Sequence, residues 1–351
     1  MMFNNKLLYL KNAVYFFISL ILIFGIGKFI YSFPFNSIVL IGIKIIYWFY
    51  TVLLLTALAM RLKILLRKWI KVRARGENIL IVAPHQDDCV AMAGGFAIQT
   101  LLKKGKVNIV YVTEEEGEYG LIRKKEAFRA WECVGLDRKA IQFLGYRTLS
   151  GLILRNEIDE CIQKMIALIA LIKPDIIFVP AYEGGHYQHD VTNYIVNRAL
   201  KKTFLKNIRV FETALYNFYY SINRTPEKVI ASLRIFIPFG KRHYPPEPIR
   251  RDPVYILNMT NDELKMKSVM LNQFVSQNPN TLISRFGYPD RFQKYREYDY
   301  SKSPFDYDHS PAKVINFLKT LPIIGKVISN EIKWTNSIHP NPNYTITKIP
   351  L

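Results

Sequence analysis

The sequence predicts an α/β fold, in which helices flank a mostly parallel sheet, preceded by an N-terminal transmembrane helical hairpin. From residue 78 onward, short apolar runs alternate with longer stretches of helical periodicity, a pattern typical of βαβ units. Before residue 78, two long apolar runs are followed by a basic segment. The alternation of strands and helices indicates a Rossmann-like arrangement of the sheet.

The first predicted element is the hairpin, formed by apolar runs at residues 12–33 and 37–60. Each run approaches the roughly 20 residues that a helix needs to cross a bilayer. Lys28 and Lys44 interrupt the runs, and seven Lys or Arg residues lie between positions 61 and 75. By the positive-inside rule, this flank predicts an integral membrane protein whose following domain faces the cytoplasm. A cleaved signal peptide and an interfacial anchor that does not cross the bilayer are the alternatives.

The remaining elements are read from apolar periodicity. Residues 78–213 contain five predicted strands, Ile79–Ala83, Val107–Thr113, Ile141–Leu144, Ile176–Pro180 and Ile208–Phe211, and four predicted helices, Val90–Lys104, Arg123–Gly135, Arg155–Ile172 and Asp190–Lys201. Thr260 and Glu263 predict a capping box at the start of a further helix. Residues 311–333 predict a terminal amphipathic helix, which packs against the domain or contacts the membrane. We therefore predict an anchor with its basic segment at 1–76, a core at 77–215 and a C-terminal extension at 216–351.

The charge is distributed unevenly along the 351-residue chain, whose formal net charge is +20. Residues 1–76 contain 11 of the 48 Lys and Arg residues and none of the 28 acidic residues. Because most of the excess lies beside the apolar runs and no recognition motif accompanies it, nucleic acid is not a predicted partner. Cys89, Cys133 and Cys161 are an odd, widely spaced set, which favours a reducing compartment.

Two polar clusters each follow a predicted strand directly. The first is APHQDD at 83–88 and the second is EGGHYQHD at 183–190, and together they contain three of the six histidines. Ligands of open α/β sheets bind at the carboxyl ends of strands, and zinc prefers imidazole and carboxylate ligands. His85 and Asp88 are therefore candidate zinc ligands, with a third expected from the second cluster. Alternatively, His85 is a structural residue and the Asp87-Asp88 pair caps the next helix.

The two clusters resemble the motifs of the PIG-L/LmbE-like zinc-dependent de-N-acetylases, which are N-acetylglucosaminyl deacetylase-like proteins with a His-Pro-Asp-Asp-Glu motif and a later His-x-x-His. The resemblance covers about residues 78–213 and touches 263–300. Further matching positions are Arg123, Glu126, Ala130, Gly135, Lys173-Pro174-Asp175, Lys267 and Ser276-Gln277. Gln86 replaces the family's proline and Cys89 replaces its glutamate. Cys89 is either a small buried residue that opens the helix or a thiol that approaches the metal.

The resemblance implies roles for five residues. His85, Asp88 and His189 would bind Zn²⁺ or another divalent metal. Asp87 would be the general base that assists attack of a zinc-bound water, and His186 would stabilise the tetrahedral intermediate. From general chemistry, we expect His186 to act best as an imidazolium that nearby carboxylates support.

The resemblance also implies a reaction and a substrate class. The enzyme would hydrolyse the acetyl group from an N-acetylglucosamine-type sugar on a glycoconjugate or glycolipid at the membrane, with residues 216–351 as walls of the substrate pocket. Arg123 would contact the sugar, although helical spacing also allows it to pair with Glu126. The alternative function is a non-catalytic, membrane-bound binding or scaffold protein that keeps a deacetylase fold.

Overall fold

The computed structural model describes residues 69–148, 152, 154–183, 186–203, 205, 207–215, 254–295 and 298–300, together with 18, 21, 24–32, 40–48, 51 and 55. The chain divides into two compact units. One contains residues 1–67 and 218–240, and the other contains residues 68–217 and 241–351. Predictions for residues 311–333 lie outside the described residues.

The predicted transmembrane hairpin is wrong. Among the described residues, no helix combines the length and the apolar character that crossing a bilayer requires. Within the two apolar runs, the residues described as helical are 18, 21, 24–31, 40–48, 51 and 55, and Ser32 is a turn. The other residues of both runs lie outside the described residues. The predicted location as an integral membrane protein with a cytoplasmic domain is corrected by the same finding.

An eight-stranded sheet forms the centre of the second unit. Its strands are β1 Trp69–Val72, β2 Asn78–Ala83, β3 Lys106–Glu114, β4 Ile141–Arg147, β5 Ile176–Pro180, β6 Arg209–Thr213, β7 Val254–Leu257 and β8 Arg291–Lys294. Their spatial order is β1-β7-β8-β6-β5-β2-β3-β4. The order departs from the sequence order, so helices must cross over the sheet to connect neighbouring strands.

The sheet is mixed. Strand β8 pairs antiparallel with both β6 and β7, whereas the other described pairs are parallel. The fold-class prediction is corrected because the predicted hairpin is not supported, and the described sheet, although mostly parallel, is mixed, with five parallel and two antiparallel pairs. The antiparallel strand was missed because β8 has four residues, too few to show a periodic pattern.

Helices cover both faces of the sheet. They are α1 Asp88–Leu102, α2 Gly117–Glu132, α3 Arg155–Ile172, α4 Tyr187–Lys202, α5 Asn261–Asn272 and α6 Pro279–Phe286. One apolar cluster joins α1, α2 and α5 to one face, and another joins α3 and α4 to the opposite face. In β2, Ile79 and Ile81 belong to the first cluster, whereas Leu80 and Val82 belong to the second. This burial on both faces explains why β2 is a continuous apolar run.

Several predicted elements coincide with observed ones. The predicted helix Arg155–Ile172 is α3 and the predicted strand Ile176–Pro180 is β5. Thr260 and Glu263 form the predicted capping box at the start of α5. Strand β1, by contrast, lies inside the segment predicted as the basic flank of an anchor, and Arg73 just after it pairs with Glu263 at 2.8 Å. The positive charge of this flank thus belongs in part to the sheet unit.

Candidate functional site

The two predicted clusters lie at the same edge of the sheet. Strands β2 and β5 are parallel neighbours, and they end at Ala83 and Pro180. Because the carboxyl ends of parallel strands share one edge, the loops that follow them are adjacent. Helices α1 and α4 begin directly after these loops, with Asp87 and His186 as their N-cap residues. The candidate residues therefore lie on two loops and on the first turns of two helices.

Three histidine rings meet at this edge. The ring centroids of His85 and His186 are 4.8 Å apart, those of His85 and His189 are 5.4 Å apart, and those of His186 and His189 are 5.5 Å apart. One nitrogen of each ring lies within 4.8 Å of the others. His189 is fully buried, His85 is buried and His186 is half-buried. This group can hold a metal ion.

Asp88 lies between two of these histidines. Its Oδ2 is 2.9 Å from His85 Nδ1 and 3.1 Å from His189 Nε2. Burial alone raises the pKa of Asp88, but the charge and hydrogen bond of His189, together with His85, hold that pKa well below its usual range. Burial also lowers the pKa of His85, yet the hydrogen bond and charge of Asp88 outweigh it and raise that pKa. The Asp88 side chain is therefore an anionic ligand candidate.

The donor set fits a divalent metal. Ligand atoms at tetrahedral zinc distances lie about 3.3 Å from one another, close to the separations of Asp88 Oδ2 from the two histidine nitrogens. A metal-binding histidine usually donates its other ring N–H to an oxygen atom. His85 Nε2 lies 2.9 Å from Gln188 Oε1, which leaves His85 Nδ1 for the ion. Gln188 was missed by the sequence analysis, because a glutamine between two histidines carries no signal of its own.

Asp87 and Arg123 form a second part of the site. Arg123 Nη2 donates to Asp87 Oδ1 at 2.9 Å, and its Nη1 donates to Glu115 Oε1 at 3.3 Å. Arg123 is buried, whereas 16% of the Asp87 side chain is exposed. Burial and the charge of Asp88 raise the pKa of Asp87, although Arg123 and His85 act in the opposite direction. The structure thus links Arg123 to the predicted base, and Glu115 is a neighbour that the sequence analysis missed.

The alternative pairing of Arg123 with Glu126 is not the one observed. Glu126 accepts hydrogen bonds from the amide and the hydroxyl of Ser276, both at 2.7 Å. These contacts join α2 to the segment after α5. The predicted contact of Arg123 with the sugar stays a prediction.

His186 is oriented by the start of α4. Its Nδ1 accepts a hydrogen bond from the Gln188 amide at 3.3 Å, which places the proton of the neutral ring on Nε2. This tautomer supplies one N–H donor at Nε2, and the predicted imidazolium form of His186 stays a prediction. Asp190, a nearby carboxylate, accepts from the Glu183 amide at 2.8 Å.

The two departures from the family motif have structural explanations. Gln86 is buried, and its Nε2 donates to the carbonyl of Thr113 at 3.2 Å, which ties the turn to the end of β3. Cys89 is fully buried in the first turn of α1. Burial raises the pKa of its thiol well above the usual value. These features favour the interpretation of Cys89 as a small packed residue.

The fold and the site define an α/β protein with a candidate metal centre at the carboxyl ends of adjacent parallel strands. Residues 80–200 match the family model of PIG-L, described as GlcNAc-PI de-N-acetylase. This match to a PIG-L domain model confirms the family resemblance recognised from the motifs. The match to this family supports a hydrolytic deacetylase of GlcNAc-type substrates.

Solved structures show only distant similarity. A conserved protein from Thermus thermophilus is 16% identical with a TM-score of 0.40, over 64% of this chain and 99% of its own. A deacetylase of teicoplanin biosynthesis is 15% identical with a TM-score of 0.45, over 63% of this chain and 99% of its own. N,N'-diacetylchitobiose deacetylase from Pyrococcus horikoshii is 17% identical with a TM-score of 0.32, over 62% of this chain and 83% of its own. TM-scores this low carry no functional inference. No curated protein matches the chain.

Proposed function

We propose that this protein is a zinc-dependent deacetylase that hydrolyses the N-acetyl group of an N-acetylglucosamine-type sugar. The observation that carries the proposal is the position of Asp88 Oδ2, within 3.1 Å of nitrogens from two histidines, one on the loop after β2 and the other in the first turn of α4. A partly exposed carboxylate, that of Asp87, lies next to this group in the chain. A metal-binding triad beside a second carboxylate is what metal-assisted hydrolysis of an amide requires.

In this proposal His85, Asp88 and His189 hold the ion. When bound, a divalent metal would supply Lewis-acid activation of the attacking water and of the acetamide carbonyl. The side-chain oxygen of Gln188 holds the ring of His85 at the Nε2 atom of that ring, so that His85 Nδ1 stays directed toward Asp88. Burial of this part of the site excludes bulk water and strengthens the interactions of the ligands.

Asp87 acts as the general base. Its raised pKa increases the basicity of the carboxylate. Arg123 holds one carboxylate oxygen through Oδ1, which leaves the other oxygen to take a proton from the attacking water. The same carboxyl group then returns the proton to the departing nitrogen, so that acetate and a free amine are released.

His186 stabilises the negative charge that develops on the acetamide oxygen. With Nδ1 engaged by the Gln188 amide, the N–H of Nε2 is the donor that can reach this oxygen. A donor that strengthens its hydrogen bond as charge appears lowers the barrier more than it tightens substrate binding. This role separates His186 from the three proposed ligands.

We propose residues 77–215 as the catalytic core and the C-terminal extension at 216–351 as a source of pocket walls. Support comes from α5 and β8, which pack against α1 and β6 respectively. We further propose that the sugar is carried on a glycolipid. Rates of hydrolysis for a panel of soluble and lipid-linked sugars distinguish a glycolipid substrate from a soluble glycoconjugate.

Mass spectrometry of sugars incubated with the purified full-length chain tests the function. We expect loss of one acetyl group from an N-acetylglucosaminyl substrate, abolition of this loss by a chelator, and recovery when Zn²⁺ is returned. A chelator removes the ion that holds the site together. A matched N-propionyl sugar serves as a control for acyl-group selectivity. Turnover that persists at full rate in chelator would contradict the metal-dependent mechanism.

Replacing Arg123 with Lys tests what this arginine does. A lysine keeps the positive charge but has no planar guanidinium group that could donate to Asp87 and Glu115 at the same time. We therefore expect kcat to fall by roughly 10- to 100-fold with little change in KM. The measurement is steady-state hydrolysis, with Arg155→Lys in the exposed pair with Asp159 as the control. A rise in KM at unchanged kcat would instead indicate that Arg123 contacts the sugar.

A further inference from the structure

Helix α1 is broken in its first half. Ala93 has φ −142° and ψ 20°, which are not helical values, and the two glycines Gly94 and Gly95 follow it. The break separates a short first segment, residues 88–92, from the remainder of the helix. This first segment carries Asp88, and Asp87 is its N-cap residue. One turn of helix is not stable by itself, so the direction of this segment must be fixed by its surroundings.

A buried ion pair fills the break. Lys267 on α5 and Asp290 before β8 are joined at 2.6 Å, and neither side chain has any exposed surface. Asp290 Oδ2 accepts a hydrogen bond from the Phe96 amide at 2.7 Å. In an unbroken helix that amide would donate to the carbonyl of Met92. Asp290 therefore caps the second segment of α1 from a distant part of the chain.

Lys267 binds the other side of the break. Its Nζ donates to the carbonyl of Ala91 at 3.3 Å and to that of Tyr288 at 3.2 Å. Ala91 belongs to the first segment, and its own amide donates to the carbonyl of Asp87 at 3.0 Å. One ammonium group thus connects the backbone of the first segment to α5 and to Asp290.

The glycines make this close approach possible. A Cβ atom on Gly95 would lie 3.1 Å from Asp290 Oδ1 and 2.5 Å from Met259 Sδ. A side chain at this position would compete for the space that the carboxylate needs to reach the helix backbone. The break in α1, the absence of a side chain at Gly95 and the position of the Lys267–Asp290 pair therefore depend on one another.

We propose that the Lys267–Asp290 pair is a positioning device, which fixes the direction of the first segment of α1 and thereby the placement of Asp87 and Asp88. The inference rests on the proposed function, because it concerns the geometry of the same metal site. Neither residue touches the site itself. Both act through the backbone of α1, on either side of Ala93.

A double variant, Lys267→Met with Asp290→Asn, tests this role. It removes both charges together, so no uncompensated charge stays buried, and Asn keeps an oxygen that can accept from the Phe96 amide. The control is Gln99→Leu, which removes a buried side chain that bonds the Asn258 carbonyl and Glu263, both at 2.9 Å. Gln99 lies beyond the break, in the second segment of α1.

Calorimetric titration with Zn²⁺ and the visible absorption of bound Co²⁺ are the readouts, with thermal melting as the check on folding. We expect the double variant to bind Zn²⁺ about tenfold more weakly and to show an altered Co²⁺ spectrum. Gln99→Leu should match the wild-type chain in both, whatever its melting temperature. A purely structural role for the pair would lower the melting temperature alone.

Each outcome is decisive. Wild-type affinity and spectrum in the double variant would overturn the positioning role. A second double variant, Lys267→Gln with Asp290→Asn, is titrated in parallel. It also removes both charges but keeps an amide in place of the ammonium, so the same comparison is available if the first double variant fails to fold. If the wild-type chain binds neither ion, the proposed metal-dependent function fails rather than the positioning role alone.

Discussion

Asp87→Asn is expected to retain the metal and to lower kcat by roughly 100- to 10,000-fold, the range that general base catalysis contributes. Asn has nearly the same shape, and its Oδ1 can still accept from Arg123 Nη2, as Asp87 does at 2.9 Å. What the variant lacks is a group that takes a proton from water. Zinc content and steady-state hydrolysis, measured on the same preparation, separate these two properties.

An exposed aspartate provides the control for Asp87→Asn. Asp159 pairs with Arg155 at the surface, so Asp159→Asn makes the same chemical change away from the site and should leave kcat unaltered. Full activity in Asp87→Asn would exclude this carboxylate as the base. Loss of zinc in the same variant would show that Asp87 also supports the ligands.

His189→Ala is expected to lose the metal and with it all measurable hydrolysis. His189 is fully buried, and its Nε2 lies 3.1 Å from Asp88 Oδ2. Residues that only support metal ligands cost about 10- to 100-fold in affinity when removed, so loss of a ligand should exceed that range. Elemental analysis of the purified variant and calorimetric titration with Zn²⁺ measure the effect.

His186→Ala is the matched comparison, because the structure brings a third imidazole into the same group. If His186 is the oxyanion donor, its variant keeps zinc and loses turnover. If the three histidines are the ligands, His186→Ala loses zinc as His189→Ala does. Zinc retained in His189→Ala but lost in His186→Ala would reverse the proposed roles of the two residues.

Long and periodic segments could be predicted from the sequence alone. Helix α3 has 18 residues and strand β5 is a continuous apolar run, so their patterns are distinct and their bounds agree with the prediction. Strands β1, β7 and β8 have four residues each, which is too short for any period to be recognised. The apolar runs near the N-terminus led to the wrong prediction of a hairpin, because no helix among the described residues is long and apolar enough to cross a bilayer.

The sequence by itself indicated the family resemblance, through motifs that each follow an apolar strand, and it placed the candidate histidines and carboxylates at strand ends. Only the tertiary structure decided that β2 and β5 are neighbours, and so that His85 and His189 approach the same carboxylate. Local patterns report how a segment is buried, whereas strand order depends on packing between segments that are distant in the chain. For the same reason no local pattern indicated that Asp290 caps the broken helix carrying Asp88.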